Sequence, residues 1–378
     1  MDRASAHAIT FGDYTCDNEQ GDRTFLTSGK LRVREKYVMG RRILGIVLLV
    51  VAISIVVMTP VLAFTPVGGN LLSRLAGATP TATPSPTPLP PTPTPTPPRP
   101  ILTVVGTPPA LQVGAAYLLD SDTGHTLDDF HGEVPLPMAS TTKIMTAAIA
   151  IQAGNLDKVI TIQQDALNEV NNNNGSNANL QVGDQITLKD LLYALLLPSG
   201  DDAAIAIADG VSGNMQSFVT VMNIFAYRLH LFQTHYINPD GLTYYGAANT
   251  PLSENYTTAY DLLRLTQYAM KLPLFAEIVK TTEYRLARDV HHHGYTWKTT
   301  NSLLAYASDA PTVKVYPGAT GIKTGYTVEA GGCLVFSATR NGHDLMGGVL
   351  GSANKTSRFL DAITLLNWGF GLPVRVAS

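Results

Sequence analysis

The stretch Pro137–Ala147 decides how the chain folds, and it reads Pro-Met-Ala-Ser-Thr-Thr-Lys-Ile-Met-Thr-Ala. From Thr142 to Ile151 the chain is rich in Ala, Ile and Met, which predicts a buried helix. Ser140 and Lys143 stand at the start of that helix and are three positions apart, so they share one face and can touch. A serine hydroxyl needs a base beside it to become a nucleophile. A lysine amine becomes that base when burial and the positive end of a helix favour its neutral form.

Taken alone, this S-x-x-K motif has an ordinary alternative, a serine that caps the helix and a lysine that reaches solvent. A second motif is the polar turn Pro198–Asp202, which follows the predicted apolar helix Leu188–Leu197. Ser199 in this turn is a candidate for moving a proton to a leaving group. The alternative is a plain turn between helices, since Ser, Gly and Asp all favour turns.

The third motif is the strand entrance Gly321–Thr327. Lys323 and Thr324 offer a cation and a hydroxyl to a substrate carboxylate. Gly325 has no side chain, so a substrate backbone can approach it closely. An ordinary glycine-rich strand start is the alternative for this motif alone.

The three motifs together, in this order, carry more information than any one of them. A Ser-x-x-Lys, a serine loop 59 residues later and a Lys-Thr-Gly near the end form the signature of penicillin-recognising serine enzymes. Over roughly residues 110–370 the chain resembles the serine-type D-alanyl-D-alanine carboxypeptidases, which are the low-molecular-mass penicillin-binding proteins. The stretches that carry the resemblance are Pro137–Ala147, Leu195–Ala204, Asn238–Leu242 and Thr320–Thr327.

The resemblance implies a two-step acyl transfer without cofactor or metal. Ser140 would attack the bond between two D-alanines, Lys143 would act as its general base, and Ser199 would assist proton transfer to the leaving amine. The implied ligands are peptidoglycan stem peptides that end in D-Ala-D-Ala, with β-lactams as inhibitors. The backbone N–H groups of Ser140 and Tyr326 would bind the oxyanion. The residues with implied substrate-binding roles are Asp201, Lys323, Thr324, Gly325 and Tyr326.

One residue departs from the family pattern. The family's second motif usually reads Ser-x-Asn, and Asp201 stands at the Asn position. An ionised Asp only accepts hydrogen bonds, and it favours a charged Lys143, which opposes the role of a base. Three explanations stay open: a protonated Asp201, an Asp201 that turns away, or an enzyme tuned differently. We expect that Asp201→Asn retains or raises activity.

The remaining elements predict an α+β fold. Apolar strands are predicted at both ends of the domain, with helices between them. This order predicts an antiparallel sheet built from N- and C-terminal strands and packed with a mostly helical central region. The predicted strands are Gly114–Asp120, a second one to Phe130, Cys333–Arg340 and Asp344–Leu350, and the further helices are 203–209, 215–230 and 356–368.

The N-terminal third has a different composition. Residues 1–42 end in a basic stretch, and residues 43–64 are 22 residues without a charge, long enough to span a bilayer. The basic flank predicts a cytoplasmic N-terminus, so that later residues lie on the cell-wall side of the membrane. A cleaved signal peptide is the alternative. Residues 65–109 form a Pro/Thr-rich spacer, with 11 Pro between positions 79 and 100, and residues 110–378 are predicted as the catalytic domain.

Composition excludes several other classes of function. The formal net charge of -3 shows no basic stripe, so nucleic acid is not an expected partner. Cys16 and Cys333 lie on opposite sides of the apolar segment, which leaves no disulfide or zinc motif. Cys333 is expected to be a small core residue. The tract His291–His293 is expected to be a solvated loop.

Three other functions stay open. A serine β-lactamase would share the fold and the motifs, but the Glu-x-x-Leu-Asn pattern of class A enzymes is absent. A DD-endopeptidase is not separated by these motifs. A non-catalytic cell-wall or β-lactam receptor is favoured only by Asp201.

Overall fold

The computed structural model describes residues 100–247, 250–307 and 310–375. The predicted cytoplasmic segment, the predicted membrane anchor and most of the predicted spacer lie outside these residues. Within the described ranges no helix is both long enough and apolar enough to cross a membrane.

A five-stranded antiparallel sheet forms the centre of the domain. Its strands are β2 (Ala115–Asp120), β3 (Thr126–Phe130), β12 (Ala319–Thr327), β13 (Gly331–Arg340) and β14 (His343–Ser352). Their order in the sheet is β12-β13-β14-β2-β3, so strands from both ends of the domain pair with each other. For example, Leu118 of β2 lies opposite Gly347 of β14. The predicted α+β fold with a sheet built from N- and C-terminal strands is therefore confirmed.

The turn between β13 and β14 follows from its sequence. Asn341 and Gly342 both have positive φ, 53° and 79°. A two-residue hairpin loop of this type needs positive φ at both positions, which Asn and Gly adopt at low cost. The predicted hairpin is confirmed.

Helices cover both faces of the sheet. Alternate strand residues point to opposite faces, so Tyr117 and Leu119 join the core beneath the helical region while Leu118 joins the core beneath the last helix. The helices are α1 (Lys143–Ala153), α2 (Gln164–Asn173), α3 (Leu188–Leu196), α4 (Asp201–Ser212), α5 (Met215–Arg228), α6 (Ala259–Met270), α7 (Pro273–Lys280) and α8 (Ser357–Phe370).

Helix α1 lies in the middle of the helical region. All its residues from Lys143 to Ala150 are buried, as expected for a helix that is apolar on every side. Its start differs from the prediction, because a short 3-10 helix, Ala139–Thr142, precedes it and contains Ser140. Helix α3 begins as predicted, since the Thr187 side chain accepts a hydrogen bond from the backbone N–H of Asp190.

The folded domain begins earlier than residue 110, where the sequence analysis placed its start. Strand β1 (Ile101–Leu102) pairs with β15 (Val374–Arg375) and ties the two ends of the domain together. Leu102 is buried, because this apolar pair at the end of the proline-rich spacer joins the core under α8. The other short strands are β4 (Leu136–Pro137), β5 (Val159–Thr161), β6 (Gln185–Thr187), β7 (Tyr244–Tyr245), β8 (Pro251–Ser253), β9 (Tyr256–Thr257), β10 (Glu283–Leu286) and β11 (Tyr295–Lys298).

The loop Asn238–Leu242 packs against the backbone just before Ser140. Gly241 has a φ of 95°, and a Cβ atom there would lie 2.0 Å from the carbonyl oxygen of Ala139. Only glycine permits this approach, so the loop and the 3-10 helix fix each other's position.

We predict that Gly241→Ala lowers the free energy of unfolding by at least about 3 kcal/mol, because it adds a backbone clash to an unfavourable φ. Gly124→Ala is the matched control: its φ is 72° and a Cβ atom there meets nothing within 4 Å. The control should lose only about 1 kcal/mol. Equal losses in urea-induced unfolding of the two variants would contradict the close approach.

Candidate active site

The turn that carries Ser140 has an unusual backbone. Ala139 has a φ of 46°, in the left-handed region that non-glycine residues seldom adopt. The Thr141 hydroxyl donates to the carbonyl oxygen of Met138 at 2.7 Å and helps hold the turn. Ser140 is 9% exposed and lines a pocket at the edge of the sheet. Its hydroxyl is therefore fixed in position and still reachable.

Lys143 is fully buried, and all three of its N–H donors have acceptors. Its Nζ donates to Ser140 Oγ at 2.9 Å, to the carbonyl oxygen of Asp240 at 2.8 Å, and to the Asp201 carboxylate. The predicted contact between Ser140 and Lys143 is confirmed. If Lys143 loses one proton and keeps its bonds to Asp201 and Asp240, the nitrogen lone pair must point at Ser140, because the nitrogen is tetrahedral.

Asp201 does not turn away from the site, so that explanation for its departure from the family pattern is wrong. Its Oδ1 pairs with Lys143, and its Oδ2 accepts from the backbone N–H of Ser176 at 2.6 Å. Burial raises the pKa of Asp201, and the nearby Lys143 opposes that rise. Asp201 is the first residue of helix α4, and the helix dipole favours a negative charge at that end.

The Asp240 carbonyl is held by a network that sequence reasoning missed. Asn255 donates to Thr142 Oγ1 and to the carbonyl oxygen of Asn238, both at 3.0 Å, and its Oδ1 accepts from the backbone N–H of Ile237 at 2.7 Å. It thereby ties the loop Asn238–Leu242 to the start of helix α1. No local motif marks Asn255, because its partners lie far away in sequence.

Ser199 lines the pocket, and the buried Lys323 lies behind it. Lys323 Nζ donates to Ser199 Oγ at 2.8 Å, and both side chains are buried. Thr324 Oγ1 lies 2.7 Å from Thr300 Oγ1. Burial lowers the pKa of Lys323 well below its usual value, and the charges of Lys143 and Arg358 add to this effect. An anion bound here would stabilise the charged form of Lys323.

Strand β12 brings Gly325 and Tyr326 to Ser140. It is an edge strand of the sheet, with β13 on its other side. A Cβ atom at Gly325 would lie 3.1 Å from the backbone nitrogen of Ser140 and 3.2 Å from Ala139 Cβ, which is tighter than ordinary contact. Tyr326 is 40% exposed at the mouth of the pocket. The edge strand therefore offers its backbone to a peptide lying beside Ser140.

Several pocket residues were not predicted from the sequence. Arg358, in the first turn of α8, lines the pocket and donates from Nη1 to the carbonyl oxygen of Gly325 at 2.7 Å. Lys355 lies over the Tyr326 ring, with Nζ 5.2 Å from the ring centre. Neither residue belongs to a recognisable sequence motif. Only the folded structure shows that the start of α8 lies next to the pocket. The other unpredicted lining residues are Ser176 and Thr300.

Two features lie outside the pocket. His291 and His293 are exposed, as expected for a solvated loop, and the His293 ring contacts the Asp184 carboxylate at 2.8 Å. Cys333 is fully buried, and burial raises the pKa of its thiol to about 11. It is a core residue.

The α+β fold and a serine whose hydroxyl meets a buried lysine define a serine peptidase. Residues 103–354 match the family model described as D-alanyl-D-alanine carboxypeptidase. The chain belongs to the D-alanyl-D-alanine carboxypeptidase family.

Individual relatives agree with this assignment. The D-alanyl-D-alanine carboxypeptidase of Streptomyces sp. (strain K15) is 39% identical over 279 residues, which cover 70% of this chain and 90% of the relative. The D-alanyl-D-alanine endopeptidase of Pseudomonas aeruginosa is 32% identical over 261 residues, with coverages of 68% and 77%. Other related carboxypeptidases are longer, and the chain spans 62–64% of their length.

The fold comparison gives the same result. The crystal structure of the Streptomyces K15 DD-transpeptidase aligns with a TM-score of 0.62 at 37% sequence identity. The alignment covers 71% of this chain and all of that one. The similarity therefore extends over the whole domain of the solved structure.

We predict that Asp201→Asn retains or raises the acylation rate of Ser140. The amide oxygen can still accept from Lys143 Nζ, and the variant removes the negative charge that opposes the role of Lys143 as a base. The amide nitrogen then faces the N–H of Ser176 and Lys143 loses its buried counter-ion, so the variant should also lose about 3–5 kcal/mol of stability.

The measurement is the rate of benzylpenicillin acylation as a function of pH. Ser176→Ala is the control, because it keeps the backbone N–H that binds Asp201. Loss of all acylation by the Asn variant, with an unchanged fold by circular dichroism, would show that the charge of Asp201 is essential.

Proposed function

We propose that this protein is a DD-carboxypeptidase that removes the terminal D-alanine from peptidoglycan stem peptides through an acyl-enzyme on Ser140. The observation that carries the proposal is the pairing of two sites across one pocket. On one side Lys143 Nζ lies 2.9 Å from Ser140 Oγ. In the same pocket Thr324 and Arg358 offer a hydroxyl and a cation to a peptide's terminal carboxylate, and Lys323 stands directly behind the lining residue Ser199.

Acylation begins when Ser140 Oγ attacks the carbonyl carbon between the two D-alanines. Lys143 takes the hydroxyl proton as the bond forms, and its bonds to Asp201 and Asp240 keep the nitrogen in place. Negative charge develops on the carbonyl oxygen beside the backbone N–H groups of Ser140 and Tyr326. One such donor is typically worth about 10²–10³ in rate.

Collapse of this intermediate breaks the peptide bond and releases D-alanine. The leaving nitrogen needs a proton, and it receives the one that Lys143 took from Ser140, with the Ser199 hydroxyl as the relay, so that Lys143 is neutral again. Water then attacks the ester, and Lys143 takes a proton from that water. Lys143 returns this proton to Ser140 Oγ as the ester bond breaks and the shortened peptide leaves.

Deacylation distinguishes this function from that of a β-lactamase. Class A β-lactamases activate water with a glutamate near the serine. In the described part of the chain, the side chains that line the Ser140 pocket include no carboxylate. Lys143 is then the base available for deacylation, and a penicilloyl ester should persist because its amine leaving group stays tethered to the acyl group and, unlike D-alanine, does not leave room for water. A DD-endopeptidase remains a second candidate, since a relative of 32% identity carries that name.

We also propose that the enzyme is a single-pass membrane protein with its catalytic domain on the cell-wall side. The support comes from the sequence alone: the uncharged run 43–64 follows a basic segment, and a proline-rich spacer comes after it. At about 3.1 Å per residue, 22 residues of spacer would reach roughly 70 Å. This reach would let the domain work at a distance from the bilayer.

We predict that the full-length protein releases D-alanine from a synthetic peptide ending in D-Ala-D-Ala. Ser140→Ala should lose at least about 10³-fold in rate, because the nucleophile is gone. Free D-alanine is measured with D-amino acid oxidase. Absence of release by the wild type, with β-lactam binding intact, would identify a receptor instead.

We predict a long-lived benzylpenicillin adduct on Ser140, seen as a mass increase by intact-protein mass spectrometry and located by peptide mapping. The amine freed from the β-lactam ring stays tethered beside the ester and hinders the approach of water, and the pocket-lining side chains in the described residues include no carboxylate of the β-lactamase kind, so the adduct should outlast the incubation. Rapid return of the unmodified mass with release of penicilloate would point to a β-lactamase.

We predict that the KM for the peptide rises with pH in the alkaline range. Lys323 binds the carboxylate while it is charged, and burial lowers its pKa, so that charge is lost at lower pH than in an ordinary lysine. The same peptide with an amidated C-terminus is the control, and its KM should lack this rise. Parallel curves for the two peptides would contradict the role of Lys323.

A further inference from the structure

A second buried acid lies directly behind Lys143. Asp240 is fully buried, and its backbone carbonyl is the one that accepts from Lys143. Its carboxyl Oδ1 accepts from the backbone N–H of Leu242 at 2.8 Å. Its Oδ2 is buried and receives no hydrogen bond from any amide or hydroxyl donor in the described residues. A buried carboxylate oxygen in this state is costly unless a proton is shared with it.

The group within reach of Asp240 is another carboxyl. The Glu169 side chain, from helix α2, lies within hydrogen-bonding reach of the Asp240 carboxyl and of the Tyr244 hydroxyl. The Asn173 side chain donates to Glu169 Oε1 at 3.0 Å. Two carboxyl groups in contact inside a protein cannot both be ionised, whereas one proton between them makes a strong hydrogen bond.

We propose that Glu169 and Asp240 hold a single proton between them, and that this acid pair makes Asp240 a positioning residue for Lys143. The shared proton fixes the Asp240 side chain. The fixed side chain in turn holds the backbone carbonyl of Asp240 in place. That carbonyl accepts one of the two Lys143 N–H groups whose hydrogen bonds aim the lysine lone pair at Ser140. The effect on catalysis rests on the proposed function, whereas the shared proton does not.

The charges around the pair require that proton. The ionisable groups that face it are Lys143 from α1, Asp201 from α4 and Tyr244 from β7. Without the proton, three carboxylates would surround one ammonium group. Such an excess of negative charge would hold Lys143 in its charged form. Burial raises the pKa of both Glu169 and Asp240, which agrees with the shared proton.

A neighbouring aspartate provides the matched control. Asp202 is also buried, but its two oxygens accept from three backbone N–H groups, those of Ala178, Leu180 and Ala203. In Asp202→Asn the new side-chain NH2 group would face a backbone N–H donor and could not accept from it. In Asp240→Asn the side-chain NH2 group instead takes the place of the proton shared with Glu169.

The test compares the thermal unfolding midpoint of the full-length wild type, Asp240→Asn, Glu169→Gln and Asp202→Asn from about pH 5 to about pH 9. In the unfolded chain both carboxyls ionise above about pH 5, so folding of the wild type takes up one proton, and its folding constant falls about tenfold per pH unit until the pair ionises. Each of the two pair variants carries an amide N–H instead and needs no proton.

The midpoints of Asp240→Asn and Glu169→Gln should therefore rise relative to the wild type as the pH increases. Asp202→Asn should be less stable than the wild type at every pH. Parallel curves for the wild type and Asp240→Asn, or a loss in Asp240→Asn as large as that in Asp202→Asn, would overturn the shared proton. These results stand even if the wild type shows no acylation, which would refute the proposed function alone.

The positioning role has its own readout. Asp240→Ala should lower the rate of benzylpenicillin acylation at least about tenfold, and Asp240→Asn should restore most of it, because only the amide can bridge to Glu169. The unfolding midpoint of each variant shows that it is folded under the assay conditions. Equal acylation rates for the folded Ala and Asn variants would overturn the role of Asp240.

Discussion

A buried lysine ammonium group is the interaction on which this domain depends. Lys143 has no exposed surface, and its three acceptors come from three separate parts of the chain: Ser140, Asp201 and Asp240. Loss of one partner of a buried charge typically costs about 3–5 kcal/mol, so these parts must assemble together. The requirement explains the left-handed Ala139, the glycine at 241 and the network around Asn255, since each holds one of the acceptors in place.

The pocket beside this group is rich in positive charge. Arg358 and Lys355 line it together with Ser140, and the buried Lys323 donates to the lining residue Ser199. A peptide's terminal carboxylate would carry the complementary negative charge and would place the preceding carbonyl group at Ser140. Binding and chemistry are thus joined by one electrostatic arrangement, because the group that is recognised lies one residue from the bond that is cut.

Local sequence signals predicted most of the fold and the centre of the site. The buried helix, the Thr187 cap and the Asn341-Gly342 turn each depend on neighbouring residues, and Ser140 and Lys143 are one helical turn apart. The rest depends on long-range contacts. Lys143 meets Asp240 across 97 positions, and Asn255 meets Thr142 across 113. Arg358 reaches the pocket only because α8 packs on β13 and β14, next to β12 in the sheet. No local pattern of residues encodes these contacts.

A crystal structure of the benzylpenicillin adduct would test the roles of Ser140 and Lys143 most directly. We expect an ester at Ser140 Oγ, with Lys143 Nζ still within hydrogen-bonding distance of that oxygen. We also expect the ester carbonyl oxygen at the N–H groups of Ser140 and Tyr326, and the ligand carboxylate beside Lys323 and Thr324. An adduct on another residue, or a Lys143 that has left Ser140 and lies in solvent, would contradict these roles.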